Sequence, residues 1–300
     1  MTQKENGRKR AVITGANGGM GRALARAFGE TMDLVLTDIA AAPLLEFAQE
    51  LRDGGYVVSA TIPGDLCDQK ILGEVAEAAS SGAGLGVLIH TAALAPTGAP
   101  WDRIMVVNLV ATERLLRAID PILTAGSVVL VISSNAGYFA AVDRDLHEIL
   151  ANPLDPELVT KLAPYVSRLT GSADEMDLSS TAYMLSKWGV TDLCATRAPE
   201  WTRRGARLVS ISPGMVYTPM GRAERERNPR AAAFIDSVPA GRWATAMDIV
   251  AAARFLASDG ASFISGCDIR IDGAAVPALQ AMLGLSGGTP ARANPKSGHD

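Results

Sequence analysis

The chain has 300 residues, of which 48% are hydrophobic and 20% charged, a balance typical of a globular protein with a well-filled core. A net charge of -4 gives no electrostatic reason to expect nucleic acid, and no apolar run has the length of a membrane span or the pattern of a signal peptide, so we expect a cytoplasmic protein. The 3 cysteines and 3 histidines form no spaced cluster, which argues against a disulfide framework and a metal site.

Short apolar runs alternate along the chain with longer segments of helical periodicity. We interpret as strands AVIT at 11–14, LVLT at 34–37, VLIHT at 87–91, SVVLVIS at 127–133, RLVSIS at 207–212 and CDIRIDG at 267–273. We interpret as helices RALARAFGE, LLEFAQELRD, ILGEVAEAAS, RIMVVNLVATERLLRAI, AYMLSKWGVTDLCATRAPEW and MDIVAAARFLAS. Strands that are apolar on both faces, with helices between them, predict a doubly wound α/β fold of three layers around a parallel sheet.

Two segments interrupt this alternation. Residues 138–180 contain LHEIL and PELVTKLAPYVSRL and are interpreted as a mostly helical insertion before the helix that carries Tyr183. Residues 284–300 are rich in Gly, Pro, Ser and Ala, which predicts a disordered tail. We therefore expect one Rossmann-like domain over residues 1–283.

A cluster of glycines follows the first predicted strand and opens the first predicted helix. In TGANGGMGRALA, Gly15, Gly19 and Gly21 occupy this strand-to-helix turn. Glycine lets a backbone approach a pyrophosphate closely, and a helix N-terminus presents unpaired N–H groups to it. A tight turn built only for packing is the alternative, but the position of the cluster favours nucleotide binding.

The second predicted strand ends in Asp38, about 20 residues further along the chain. A carboxylate at this place accepts hydrogen bonds from the adenosine ribose and repels a 2′-phosphate, which favours NAD over NADP. Ile39 and Ala40 follow in place of a basic residue, and Arg22 lies inside the first helix. A turn or helix cap is the alternative role for Asp38.

Tyr183 and Lys187 lie four residues apart in the helical run SSTAYMLSKWG, so they project from one helix face. An ammonium group favours the ionised form of a nearby phenol, whose pKa is otherwise about 10. This spacing alone is common in amphipathic helices, so its meaning depends on the rest of the chain.

Together these motifs resemble those of the short-chain dehydrogenase/reductase family, over roughly residues 9–276. TGANGGMG at 14–21 matches the family's TGxxxGxG motif, and YMLSK at 183–187 matches its YxxxK. Ser134 in VISSNAG precedes the YxxxK motif, and Pro213-Gly214 follows the next strand, in the order that the family has. Several motifs in this order are far more specific than any one of them.

The resemblance implies an oxidoreductase that interconverts a secondary alcohol and a ketone with NAD(H). Tyr183 would be the general acid/base, Lys187 would stabilise its phenolate and hold the nicotinamide ribose, and Ser134 would orient the substrate oxygen. Ser133 is the competing assignment for that serine. Asn108 matches the fourth catalytic position, where its amide would maintain a water-linked proton path to the lysine; an ordinary polar helix position is the alternative.

The resemblance also implies which positions hold the dinucleotide. They are Gly15, Asn17, Gly18, Gly19, Met20 and Gly21 in the turn, Asp38 and Ile39, Asp65 and Leu66 in GDLCD, Ala92 and Ala93, Tyr183 and Lys187, and Pro213, Gly214, Val216 and Thr218 in SPGMVYTPM. A helix N-cap is an equally good role for Asp65. No metal belongs to the predicted site.

Two departures from the family pattern stand out. Where the family often has NNAG, this chain has HTAA at 90–93, and we expect His90 to be a packed, hydrogen-bonded histidine rather than a proton shuttle. The stretch between Ser134 and Tyr183 is longer than in most members and resembles the 3α-hydroxysteroid dehydrogenase/carbonyl reductase branch, whose insert helps to form the substrate region.

A hydroxysteroid or another hydrophobic carbonyl compound is therefore one hypothesis for the substrate. It is motivated by the insertion's apolar residues Leu146, Ile149, Leu150, Leu158, Leu162 and Val166, which could equally pack on the body or at a subunit contact. The alternatives are a reductase of sugar or polyketide-like substrates and a catalytically silent nucleotide-sensing protein. We expect a homodimer or homotetramer that acts on a small alcohol or ketone, without a nucleic acid or membrane partner.

Overall fold

A computed structural model of the protein describes residues 7–228 and 238–282. Within them, seven parallel strands form one sheet in the order β3-β2-β1-β4-β5-β6-β7. The strands β1 to β7 are Arg10–Thr14, Asp33–Asp38, Val58–Pro63, Leu85–His90, Val128–Ile132, Arg207–Pro213 and Asp268–Ile271. The strand order reverses at β1, which lies between β2 and β4, and a crevice outside the carboxyl ends of the strands is expected at such a point.

Helices cover both faces of this sheet. In chain order, α1 to α11 are Gly19–Gly29, Ala41–Asp53, Gln69–Ser80, Trp101–Met105, Ala111–Ile119, Arg144–Leu150, Leu158–Thr170, Glu175–Arg203, Pro219–Arg227, Ala246–Ala257 and Ala275–Met282. A π-helical turn, Val106–Val110, joins α4 to α5. No described helix is both long and apolar enough to cross a membrane.

Neighbouring side chains of one strand belong to opposite sides of the sheet. Val12 of β1 packs with α3, α5 and α8, whereas Ala11 and Ile13 pack with α1, α2 and α10. This alternation follows from the two-residue period of a strand, and burial on both sides explains why the central strands are apolar throughout. The predicted three-layer, doubly wound α/β fold is confirmed.

The structure contains one strand and two helices that the sequence pattern did not predict. Strand β3 has the sequence VSATIP and lies at the sheet edge, where its burial is incomplete and a serine and a threonine interrupt its apolar residues. Helix α9, PMGRAERER, is too charged to show an apolar stripe, and α11 is short. Each therefore lacks the periodicity that identified the other elements.

The insertion contains helices α6 and α7. Asp143 caps α6 by accepting a hydrogen bond from Leu146 N at 2.9 Å, and Arg168 of α7 lies 3.0 Å from the same carboxylate. Thr170 at the end of α7 donates to Thr181 of α8 at 2.8 Å. These contacts fix the insertion on α8.

Helices α6 and α7 of the insertion pack their apolar side chains against the body of the protein. The side chains at 146, 150, 158, 162 and 166 are buried in the core beside α8, and Ile149 packs against that core. Each amphipathic helix buries its apolar stripe against the body of the protein. The prediction that Leu146, Ile149, Leu150, Leu158, Leu162 and Val166 indicate a hydrophobic substrate region is therefore wrong. The predicted tail, 284–300, lies outside the described residues.

Candidate functional site

The glycine-rich turn after β1 is held in a conformation that requires glycine. Gly15 has φ 63°, and a Cβ on it would lie 2.8 Å from the amide nitrogen of Ala92. A Cβ on Gly21 would lie 2.2 Å from the carbonyl oxygen of Gly15, so the helix packs directly on the turn. Larger residues at either position would push the turn and α1 apart.

The N-terminus of α1 is open to an anion. Gly18 is the N-cap, and within the described residues no side chain caps the helix and no acidic residue occupies its first turn. The backbone N–H groups and the helix dipole therefore favour a negatively charged group at this end. Asn17 adds a buried side-chain oxygen that has no partner among the described residues. This turn fits the pyrophosphate of a dinucleotide.

Asp38 lies beside this turn at the end of β2. Its carboxylate accepts hydrogen bonds from the backbone nitrogens of Asn17 at 3.0 Å and Ala40 at 3.1 Å, so the expected turn cap is real. Each oxygen keeps a lone pair that can accept from a sugar hydroxyl. The neighbouring Ile39 side chain is 69% exposed and offers an apolar surface at the same place.

The nearest arginine on α1 is committed elsewhere. Arg22 forms an ion pair with Glu50 of α2 at 2.6 Å and stacks 4.0 Å above the ring centroid of Phe47. These contacts hold its guanidinium on α2, so it does not neutralise the carboxylate of Asp38.

Asp65 and Leu66 follow β3, the strand beside β2, so they lie on the same side of the glycine-rich turn as Asp38. Asp65 accepts from Cys67 N at 2.9 Å and pairs with Arg103 at 2.6 Å. Burial alone would raise the pKa of the Asp65 carboxyl, but these hydrogen bonds outweigh burial and lower it. The helix cap of α3 is Asp68 rather than Asp65, and Leu66 is buried in the core.

A cavity of about 300 Å³ opens at the carboxyl ends of β5 and β6. It brings together several predicted site residues that are far apart in the chain: Met20, Ser134, Tyr183, Pro213, Gly214, Val216 and Thr218. Thr218 caps α9 and packs on the glycine-rich turn, since a Cβ on Gly19 would lie 2.7 Å from its methyl group. The cavity is therefore continuous with the proposed pyrophosphate site.

The two serines after β5 have different environments. Ser133 is buried, and its hydroxyl donates to the carbonyl oxygen of Lys187 at 2.8 Å. Ser134 is hydrogen-bonded to Tyr183 inside the cavity, and its oxygen accepts from Ala136 N at 3.2 Å. Ser133 thus fastens α8 to β5, and Ser134 is the serine available to a ligand beside Tyr183.

Lys187 is a buried ammonium on α8. Its Nζ donates to the carbonyl oxygen of Ile132 at 3.1 Å and lies 5.7 Å from the ring centroid of Tyr183. Burial disfavours the charged form and lowers the pKa of Lys187 to about 8.

Tyr183 is partly open to the cavity but is densely surrounded by protein. Burial raises the pKa of its phenol above the usual value and outweighs the lowering by the hydrogen bond with Ser134; the negative charge of Glu224 raises it further. At neutral pH the chain therefore holds Tyr183 as a neutral phenol, which can donate a proton to a carbonyl oxygen.

Asn108 lies in the π-helical turn and bridges two elements. Its Oδ1 accepts from Leu94 N at 2.8 Å, and its Nδ2 donates to Leu94 O at 3.0 Å and to Ser186 at 3.3 Å. The amide thus reaches the loop after β4 and α8, not Lys187 itself. This arrangement suits a positioning role, and π-helical turns recur at functional sites.

His90 is the centre of a directional chain of buried hydrogen bonds. Thr112 donates to Asn108 O at 2.7 Å, so its oxygen accepts from His90 Nε2–H at 2.9 Å. The other ring nitrogen, Nδ1, then accepts from the Thr14 hydroxyl at 2.7 Å. The oxygen of Thr14 in turn accepts from Thr91 N at 3.2 Å and, more weakly, from Ala92 N at 3.4 Å. His90 therefore ties the loop that contains Ala92 and Ala93 to the turn that contains Asn108.

The cavity also contains residues that the sequence did not single out. They include Pro96, Phe139, Ser180, Met184, Met215, Glu224 and Asn228. Ser180, Met184 and Met215 lie beside or between the motif positions, and the other four belong to segments without a motif. Glu224 in RAERER resembles any solvent-exposed acidic residue, yet it is only 8% exposed. Its burial depends on how α9 packs, which no local sequence signal shows.

Comparison with known proteins gives consistent matches. A short chain dehydrogenase model matches residues 9–143, and an enoyl-(acyl carrier protein) reductase model matches residues 169–274. The short-chain dehydrogenase/reductase bsc3 of Alternaria brassicicola is 31% identical, with 89% of this chain and 96% of that protein aligned.

Several relatives are named for their substrates, and two of them show how different these substrates are. The galactitol 2-dehydrogenase (L-tagatose-forming) of Cereibacter sphaeroides is 29% identical over 88% of this chain and 93% of its own. The 3beta-hydroxysteroid dehydrogenase 1 of Eggerthella lenta is 30% identical over 88% of this chain and 92% of its own.

One similar solved structure is assigned as an NAD(P)-dependent gluconate 5-dehydrogenase of Beutenbergia cavernae and has NADP bound. It is 27% identical, has a TM-score of 0.67 and covers 90% of this chain and 98% of its own.

Because His90 is buried as a neutral imidazole, we predict that the folded protein loses stability as the pH falls. Burial, with a smaller contribution from the charge of Lys187, lowers the pKa of His90 from 6.5 to about 3. Below pH 6.5 the unfolded chain binds a proton that the folded chain does not, so stability falls as the pH drops towards 3. At pH 5 this loss is about 2 kcal/mol, at about 1.4 kcal/mol per pKa unit.

Urea unfolding of the wild type and His90→Gln at pH 7.5 and pH 5 measures this loss. The variant should lose about 2 kcal/mol less free energy of unfolding over this interval than the wild type does, whatever its stability at pH 7.5. Equal losses in the two proteins would contradict the buried, neutral histidine.

Proposed function

This chain belongs to the short-chain dehydrogenase/reductase family, and from that premise we propose that it is an NAD(H)-dependent oxidoreductase that interconverts a secondary alcohol and a ketone. The observation that carries the proposal is the meeting of Tyr183 and Ser134 in one cavity that continues to the glycine-rich turn, with the Lys187 ammonium buried 5.7 Å from the Tyr183 ring. A proton donor, an orienting hydroxyl and a buried cation beside a dinucleotide cradle are the groups that this reaction requires.

The dinucleotide would be held along the carboxyl edge of the sheet. The turn from Gly15 to Gly21, with Asn17, Gly18, Gly19 and Met20, would hold the pyrophosphate, and Asp38, Ile39, Asp65 and Leu66 would hold the adenosine. Ala92 and Ala93, Tyr183 and Lys187, and Pro213, Gly214, Val216 and Thr218 would contact the nicotinamide half. The bound nicotinamide supplies or accepts the hydride.

The proton is handled by the chain's own residues. In the direction of reduction, Tyr183 donates its phenolic proton to the ketone oxygen while the hydroxyl of Ser134 donates a hydrogen bond to the same oxygen. In the direction of oxidation, Tyr183 accepts the proton of the alcohol, and the ammonium of Lys187 favours the phenolate that this step needs. Asn108 and His90 hold the loop after β4 in position against α8, α5 and the glycine-rich turn.

The substrate is a secondary alcohol whose class has two candidates among the relatives. One relative is named for the sugar alcohol galactitol and another for a hydroxysteroid. Because the apolar residues of α6 and α7 that suggested a steroid are buried in the core or packed against it, they no longer favour a steroid. We therefore propose a sugar alcohol or another small polyol as the preferred substrate class. We also propose that residues 1–283 form one dehydrogenase domain and that the protein assembles as a homodimer or homotetramer.

The role of Tyr183 is tested by turnover. Nicotinamide absorbance is followed for NADH with small cyclic ketones, ketoses and 3-ketosteroids, and for NAD with the matching alcohols. Tyr183→Phe should lower kcat about 10²- to 10⁴-fold because the proton donor is lost. Tyr165→Phe, in the insertion, is the matched control and should react like the wild type. Binding of NADH without turnover of any compound would favour a nucleotide-sensing protein instead.

The role of Asp38 is tested by cofactor preference. Asp38→Ala should lower kcat/KM for NAD about 10- to 100-fold, because hydrogen bonds to a charged group are lost, and should raise kcat/KM for NADP, because the repulsion of its 2′-phosphate is removed. Asp53→Ala, at the exposed end of α2, should leave both values unchanged. A wild type that uses only NADP would contradict the assignment of Asp38.

A further inference from the structure

Glu224 is a buried acidic residue at the wall of the cavity. It lies on α9, where Arg222, Arg225, Glu226 and Arg227 are exposed while Glu224 is only 8% exposed. Among the described residues that line the cavity, it is the one charged side chain. Since burying a carboxylate is costly unless it is hydrogen-bonded, its place at the cavity requires partners.

The partners of Glu224 leave part of its hydrogen-bonding capacity free. Its Oε2 accepts from the Thr97 hydroxyl at 3.0 Å, and its Oε1 accepts from Asn228 Nδ2 at 2.8 Å. A carboxylate has about four acceptor sites, two on each oxygen. Counting partners within the described residues, one site on each oxygen is thus left for a donor that enters the cavity.

Glu224 and the reacting groups are close enough to act on one ligand. Its charge is felt by Tyr183, and both side chains line the same cavity. Much of the remaining wall is apolar and includes Phe139, Met184 and Met215. A small molecule that places a carbinol carbon at Tyr183 can therefore present a second polar group to Glu224.

We propose that Glu224 is a specificity-determining residue that accepts a hydrogen bond from a second hydroxyl of a neutral polyol and repels substrates with a carboxylate or phosphate at that end. This inference rests on the proposed dehydrogenase function and names its substrate class. A site built to hydrogen-bond a substrate hydroxyl discriminates strongly against analogues that lack it, because its own buried polar group is then left unpaired. A negative charge on the substrate adds like-charge repulsion in a cavity of low dielectric.

The test compares the wild type with Glu224→Gln on four probes. Galactitol and D-threitol are neutral polyols, cyclohexanol has one hydroxyl, and gluconate is an anionic polyol. The wild type should prefer the polyols to cyclohexanol and gluconate. In Glu224→Gln, kcat/KM for the polyols should fall about 10- to 100-fold relative to that for cyclohexanol, since a hydrogen bond to a charged acceptor is replaced by a neutral one. The value for gluconate should rise relative to that for the polyols.

The ratio between probes separates recognition from an effect on the proton donor. Removing the charge of Glu224 also lowers the pKa of Tyr183, but this change acts on every alcohol and cancels in the ratio at one pH. Glu226→Gln, an exposed change on the same helix, should leave all four values unchanged. If Glu224→Gln does not fold, the preference of the wild type for the polyols over cyclohexanol and gluconate decides the inference.

The outcomes also separate this inference from the proposed function. If the wild type oxidises the alcohols but Glu224→Gln lowers kcat/KM for the polyols and for cyclohexanol by the same factor, the dehydrogenase function stands and the proposed role of Glu224 in recognition is wrong. A wild type that prefers gluconate, or a protonated amino alcohol over the matching polyol, would likewise overturn the inference. If no alcohol or ketone reacts although NADH binds, the proposed function fails and the inference fails with it.

Discussion

The ammonium of Lys187, buried on the carbonyl oxygen of Ile132 at 3.1 Å, is the interaction on which the rest of the site depends. It fixes α8 at the end of β5, and the Ser133 hydroxyl strengthens the same junction by donating to Lys187 O at 2.8 Å. Tyr183, one turn earlier on α8, is thereby placed beside Ser134. Burying a charged ammonium costs free energy, and the Lys187 ammonium is buried where its charge would favour ionisation of the Tyr183 phenol.

A second set of buried polar groups links the glycine-rich turn to the elements around Tyr183. His90 joins Thr14, at the start of the glycine-rich turn, to Thr112 on α5, and Asn108 joins the loop after β4 to Ser186 of α8. Buried polar networks whose members are all satisfied specify a single arrangement. In the HTAA segment, the imidazole of His90 thus holds the loop after β4 in place through its hydrogen bonds with Thr14 and Thr112.

The sequence was sufficient for the features that have a local signal, and the family resemblance is confirmed. Central strands such as VVLVI are apolar on both faces, and TGANGGMG requires a turn without side chains, so the fold and the glycine-rich turn could be predicted. Strand β3 and the burial of Glu224 could not, because each depends on which element packs beside it. The insertion was correctly interpreted as helical, but its apolar residues are as compatible with packing on α8 as with a substrate, and only the structure distinguishes the two.

The most direct test of this account is the pH dependence of alcohol oxidation in Lys187→Met, with NAD binding measured separately by fluorescence. Loss of the positive charge raises the pKa of the phenol, so the account predicts that the variant binds NAD but oxidises the alcohol about 10²- to 10⁴-fold more slowly at neutral pH. Its residual rate should rise only at a higher pH than the rate of the wild type does. A folded variant with the rate and pH profile of the wild type would contradict the account.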